Sequence, residues 1–185
     1  ESATLNMRDT KVTAIHTSSG IDGVQDGQGI VAGSVTFNSI GFLDLDGVTV
    51  DDYQKNGIIV GRTGSNAIIK NTTVTGMGPT ALIAQNGIQI GDGATATISD
   101  SHVNNNNYTP NTWAATGIVP VEAGAVSISN STFSGNSFAV YEYNSTVPAV
   151  PAAFSVTGST FTNNPSAAIL YFAVANPTFT DNVIS

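Results

Sequence analysis

The side chains best placed to do chemistry are carboxylates, and they gather in two sets. Asp44, Asp46, Asp51 and Asp52 stand close together beside Tyr53 and Lys55. Such a cluster could bind a cation or a sugar, and if the protein is an enzyme Asp51 and Asp52 are candidates for catalysis. The second set is spread along the chain: Arg62, Asp92 and Glu122 each lie five residues beyond a glycine (Gly57, Gly87, Gly117), with Glu142 near the equivalent place later. If those glycines stack, the carboxylates share one edge at a strand separation of about 4.8 Å, where they would raise one another's pKa or attract Ca²⁺. Asp92 and Glu122 are thus further catalytic candidates, and Asp92, Glu122 and Glu142 are the candidate Ca²⁺ ligands. Both sets have a plainer reading, because Gly91-Asp92-Gly93 and Glu122-Ala123-Gly124 are turn sequences and acids on an exposed strand keep an acidic protein soluble.

A different chemistry is offered by Asn104 to Thr116. It contains the only tryptophan, Trp113, with Tyr108, Asn105, Asn106, Asn107 and Asn111. An aromatic ring can stack on the face of a sugar while amides bond its hydroxyls, which makes Trp113, Tyr108, Asn106 and Asn111 the candidate ligand-binding residues. The competing expectation is that Trp113 folds back and buries its ring. Cysteine is absent, and His16 and His102 are far apart, so neither a thiolate nor a two-histidine metal site is expected.

These residues are carried by a repeat. An apolar residue is followed five positions later by another at Leu45/Val50, Ile69/Val74, Ile98/Val103, Ile128/Phe133, Val156/Phe161 and Phe179/Ile184, at intervals of 24, 29, 30, 28 and 23 residues. Met7/Val12 is a seventh copy, 38 residues before Leu45. Runs such as Ala96-Thr97-Ile98-Ser99 alternate apolar and polar residues, the two-residue period of a half-buried strand. An odd separation puts two residues on opposite faces of a straight strand, so the chain must bend between the members of each pair. Asp9, Gly47, Asn71, Asp100, Asn130, Gly158 and Asp181 sit at that bend and tolerate left-handed backbone angles. Asn71, Asp100 and Asn130 are expected to form a ladder of side chains.

A third strand follows each bend, as in Gly57-Ile58-Ile59-Val60 and Gly87-Ile88-Gln89-Ile90. Stacked coils of this kind bury a column of Ile, Val, Leu and Phe that no single coil could bury alone. The step from Val50 to Ile58 takes 8 residues, but Val74 to Ile88 takes 14 and Val103 to Ile118 takes 15, so two adjacent coils bulge on one side.

Five basic against 13 acidic residues give a net charge of −8, which excludes nucleic acid as a partner. The longest apolar run, Ala167 to Ala175, is far short of the roughly 20 residues of a membrane-spanning helix, and no membrane insertion is expected. The low charge and abundant Thr, Ser and Asn suggest an extracellular or cell-surface protein. Sequons at Asn71, Asn107, Asn130 and Asn144 are expected by chance in such a composition.

The coil pattern of Ile128-Ser129-Asn130-Ser131-Thr132-Phe133-Ser134-Gly135-Asn136, repeated at Val156 to Asn164, resembles the right-handed parallel β-helix proteins of the pectate-lyase-like superfamily. The stretch from Gly78 to Ile98 is similar to uncharacterised secreted bacterial members. The resemblance covers nearly the whole chain and implies an all-β, right-handed parallel β-helix solenoid of about six to seven coils, each of three short strands. Enzymes of the superfamily cleave uronic-acid polymers with a Ca²⁺-binding acidic cluster and a basic residue, or with clustered aspartates. Of those signatures only Asp51-Asp52 is present, and none of Arg8, Lys11, Lys55, Arg62 or Lys70 lies in an Arg-x-x-Pro-x-x-Arg motif.

The expectation is therefore one domain over residues 1–185: a secreted or cell-surface, non-enzymatic β-helix, structural or carbohydrate-recognising, with a polysaccharide or surface glycan as partner. A polysaccharide lyase or glycoside hydrolase using the acidic sets is the alternative. An ice-binding surface is a further one, suggested by Thr73-Val74-Thr75 and Thr160-Phe161-Thr162. No cofactor is expected, and Ca²⁺ is the one ion the carboxylates could take. Neither end carries a capping helix and no signal peptide precedes Glu1, so a longer solenoid, with further coils or another subunit over an end, is expected as well.

Overall fold

The computed structural model describes residues 1–143, 153–172 and 177–185. The sequon at Asn144 and the end of the apolar run lie outside the described residues. The first coil is β1 (Ser2–Arg8), β2 (Lys11–Val12) and β3 (Gln28–Ala32). The second is β4 (Ile40–Asp46), β5 (Thr49–Asp51) and β6 (Asn56–Gly61), and the third is β7 (Asn66–Lys70), β8 (Thr73–Thr75) and β9 (Asn86–Gly91). Next come β10 (Thr95–Ser99), β11 (His102–Asn104) and β12 (Thr116–Val121), then β13 (Val126–Ser129), β14 (Thr132–Ser134) and β15 (Phe138–Tyr141). The sixth coil is β16 (Phe154–Thr157), β17 (Thr160–Thr162) and β18 (Ala167–Leu170), and β19 (Thr178–Thr180) and β20 (Val183–Ile184) follow.

First, second and third strands each form their own sheet, of seven, seven and six strands, and every strand pairs in parallel with its counterpart one coil away. This is a right-handed parallel β-helix of about seven coils, the hand that parallel crossovers take when strands twist to the right. Leu45, Ile69, Ile98, Ile128 and Val156 align in one column, all with no exposed surface. Val50, Val74, Val103, Phe133 and Phe161 form the next, in which the two phenyl rings stack at 4.9 Å. Each such side chain contributes about 1.5–3 kcal/mol by leaving water. Between the columns Asp9, Gly47, Asn71, Asp100, Asn130, Gly158 and Asp181 all adopt positive φ, between 47 and 68°.

The expected ladder of Asn71, Asp100 and Asn130 is not what ties the coils together. Those residues are exposed, because the left-handed angle turns their side chains to solvent. The ladder stands one residue later, where the chain turns back inward. The backbone N–H groups of Thr72, Ser101 and Ser131 donate to the hydroxyls of Ser101, Ser131 and Ser159, at 3.1–3.2 Å, and Ser159 N–H donates to Asn182 Oδ1 at 2.9 Å. A second, buried ladder runs through amides, with Asn106 Nδ2 donating to Asn136 Oδ1 (3.0 Å) and Asn136 Nδ2 to Asn164 Oδ1 (3.2 Å).

Candidate ligand-binding cleft

The corner between the second and third sheets holds three long connections. Residues 76–85 and 105–115 are the two bulges read from the spacing, and residues 13–27 of the first coil are a third on the same side. The sequence signal for the third was the 18-residue step from Val12 to Ile30, since Ile30 pairs with Ile58. Between the first and third coils the second connects by residues 52–55 alone. A short connection between longer ones makes the floor of a cleft of about 400 Å³, lined by Gln25 from one wall, Lys55 from the floor, and Leu82, Tyr108 and Trp113 from the other.

Buried polar side chains of the short connection hold the walls. Gln54 Nε2 donates to the Asp22 carbonyl (2.7 Å), Asp22 Oδ1 (2.7 Å) and the Val24 carbonyl (3.0 Å), fixing the first-coil loop. On the other side Gln85 Nε2 donates to the Tyr53 carbonyl at 2.5 Å, and its own carbonyl accepts Met77 N–H at 2.8 Å. The Tyr53 hydroxyl, wholly buried, donates to Asn106 Oδ1 at 2.5 Å, and this burial pushes its pKa far up. Thr109 N–H donates to the Thr80 carbonyl, joining the two long loops. Each satisfied buried group would cost about 1–3 kcal/mol if orphaned, so these loops are bound to the scaffold.

Trp113 is 70% exposed at the cleft, so its ring has not folded over a coil. Tyr108 is half-buried in the wall. Lys55 Nζ donates to the Ala84 carbonyl at 2.6 Å, and burial pushes its pKa below the usual lysine range. Asn111 is exposed in a left-handed turn, its Oδ1 accepting from the Ser137 hydroxyl at 3.3 Å, and it is outside the cleft lining. Asn106 needs correction as a surface candidate: it has no exposed surface, and its amide is spent on Tyr53, Asn136 and the Asn104 carbonyl.

The carboxylates do not converge. Asp51 pairs with Lys11 at 3.0 Å; a hydrogen bond from Thr13, then Lys11, holds its carboxyl below the usual range. Asp52, next along the chain, turns away with φ 51° and meets His16 at 3.2 Å. Arg62, Asp92 and Glu122 do align as positive-φ turns at the opposite corner, each N–H donating to a carbonyl of the following coil. Glu142 falls out of that column, because Val121 pairs with Tyr143. It is buried, accepts Phe172 N–H at 2.8 Å, and its pKa is pushed up by burial and, less, by Glu122. Among the described residues no group of three or more His, Cys, Asp or Glu side chains could hold a metal ion, so Asp92, Glu122 and Glu142 are not brought together as a Ca²⁺ set.

Residues 27–185 match the family described as right handed beta helix region, and the chain belongs to that family. Among solved structures it is similar to the periplasmic alginate epimerase AlgG, with a TM-score of 0.55 and 12% identity, a likeness of fold. The comparison covers 98% of this chain and 47% of that one, so the chain spans about half its length. No curated protein matches.

Proposed function

We propose that this chain is an exported carbohydrate-recognition β-helix that seats a polysaccharide segment in the cleft between its first and fourth coils. The observation that carries the reading is Trp113, a large ring left 70% exposed beside a cleft of about 400 Å³ with Tyr108 and Leu82 next to it. Such a ring is costly to leave in water and suited to the apolar face of a sugar, while Gln25 offers an amide to hydroxyls. The protein of similar fold is a periplasmic alginate epimerase, which fits a glycan ligand and an exported location. Among the described residues no carboxylate lines the cleft, which favours recognition over acid–base turnover.

A glycan array followed by titration calorimetry tests this. Trp113→Ala should weaken binding by about tenfold or more, near 1.4 kcal/mol, with the melting temperature unchanged and no product released. Undiminished binding by Trp113→Ala, or no glycan bound at all, would overturn the reading.

A further inference from the structure

We infer that Lys55 is a nucleophile, and that the cleft holds the open-chain aldehyde at the reducing end of its sugar as an imine on Lys55 Nζ. The inference rests on the reading of the cleft as a carbohydrate site. Lys55 enters from the short second-coil connection, so its place is set by the scaffold. Its backbone is fixed on both sides, Lys55 N–H donating to the Gly27 carbonyl (2.9 Å) and Asn86 N–H to the Lys55 carbonyl (3.0 Å).

The surroundings of this amine are neutral. Lys11 pairs with Asp51 at 3.0 Å and Lys70 is exposed to water, but among the described residues no carboxylate pairs with Lys55 or lines its cleft. The wall beside it is Leu82, Ile83 and Ala84. One N–H of Nζ is steered to the Ala84 carbonyl, at 2.6 Å, which leaves the rest of the nitrogen to the cleft. An ammonium so placed gives up its proton more readily than one in water, and burial does lower the pKa of Lys55. A desolvated lysine with a free lone pair adds to carbonyl carbon. The lone pair forms the C–N bond, the two protons of the neutral amine pass to the carbonyl oxygen, and that oxygen leaves as water, so no oxidant or reductant is needed. A sugar offers one such electrophile, the aldehyde of its open-chain reducing end. Tyr108 and Trp113 line the same cleft for the rings that follow it.

Glyceraldehyde, a neutral sugar aldehyde, tests the nucleophile on the 185-residue chain at pH 7, with sodium cyanoborohydride to fix any imine as a secondary amine. Peptide mass mapping should find Lys55 labelled at least about fivefold faster than Lys11 and Lys70, since each unit by which a lysine pKa falls gives about tenfold more free amine. Labelling of Lys55 no faster than that of the other two overturns the inference. Calorimetry with short neutral reducing oligosaccharides, each beside its ring-closed methyl glycoside, tests the sugar end. At least one reducing sugar should bind about tenfold tighter than its glycoside, and Lys55→Arg, which forms no imine, should close that gap. Equal binding of the two forms overturns the inference and leaves the carbohydrate reading standing. A gap that survives Lys55→Arg overturns the role given to Lys55. Absence of binding by every sugar in both forms overturns the carbohydrate reading itself. Should Lys55→Arg fold poorly, the glyceraldehyde map and the comparison of the two sugar forms on the wild-type chain still decide.

Discussion

His16 shows how a single residue of the first-coil loop depends on its partners. Its Nδ1 lies 2.8 Å from the Thr17 carbonyl and its Nε2 3.2 Å from Asp52 Oδ2, and these, Thr17 foremost, raise its pKa above the usual 6.5. A base whose folded pKa is raised adds stability that is complete below its unfolded pKa and is lost as pH rises through the folded value. Thermal melts at a series of pH values should therefore show stability falling as pH rises from about 6.5, and His16→Gln should remove that component. Tyr53 and Asn106 make the complementary point, for both carry groups that sugars could use and both are committed to each other inside the fold. Residue type alone cannot separate them from Tyr108 and Asn111, because burial belongs to the coil on which a residue happens to land.

At the scale of strands and turns, the coil is held by small groups repeated in register. Ser131 accepts Ser101 N–H while donating to its own Ser129 carbonyl at 2.8 Å. Ser131→Ala leaves a buried N–H without a partner and should cost about 1–3 kcal/mol in urea unfolding. Gly87 is set by close approach: a Cβ there would lie 2.6 Å from the Gly117 carbonyl oxygen and 2.7 Å from Val103 Cγ1. Gly87→Ala should destabilise by about 1–3 kcal/mol, read the same way, since both obstacles belong to the next coil. The stacking of Gly57, Gly87 and Gly117 and the bends from Asp9 to Asp181 were legible in sequence because each recurs at a fixed place relative to an apolar pair. The hydrogen-bonding ladder was misplaced by one residue. Asn and Asp mark a left-handed turn, and only the direction of the following residue shows which side chain enters the stack.

The whole molecule is a one-dimensional stack, in which a coil is as stable as the neighbours that cover it. Inward residues of the central coils are buried, whereas Phe179 and Ile184, in register with the buried Val156 and Phe161, are 36% and 67% exposed. Measured on the 185-residue chain, amide hydrogen exchange should be slowest in β7, β8, β10, β11, β13 and β14 and fastest in β19 and β20, with a graded loss of protection from the centre towards β20. The sequence by itself determined the coil, its bends, its two core columns and two of the three long connections between the second and third sheets, since these follow from local spacing and from which residues tolerate a left-handed turn. Only the tertiary structure decided that Asp51 and Asp52 part company, that Glu142 leaves the acidic column, and that Asn106 is interior. It also set Lys55 and Trp113 in one cleft, although 58 positions separate them in the chain. Which loops face one another depends on how many residues each coil spends before returning to register, a property of the stack and not of any one repeat.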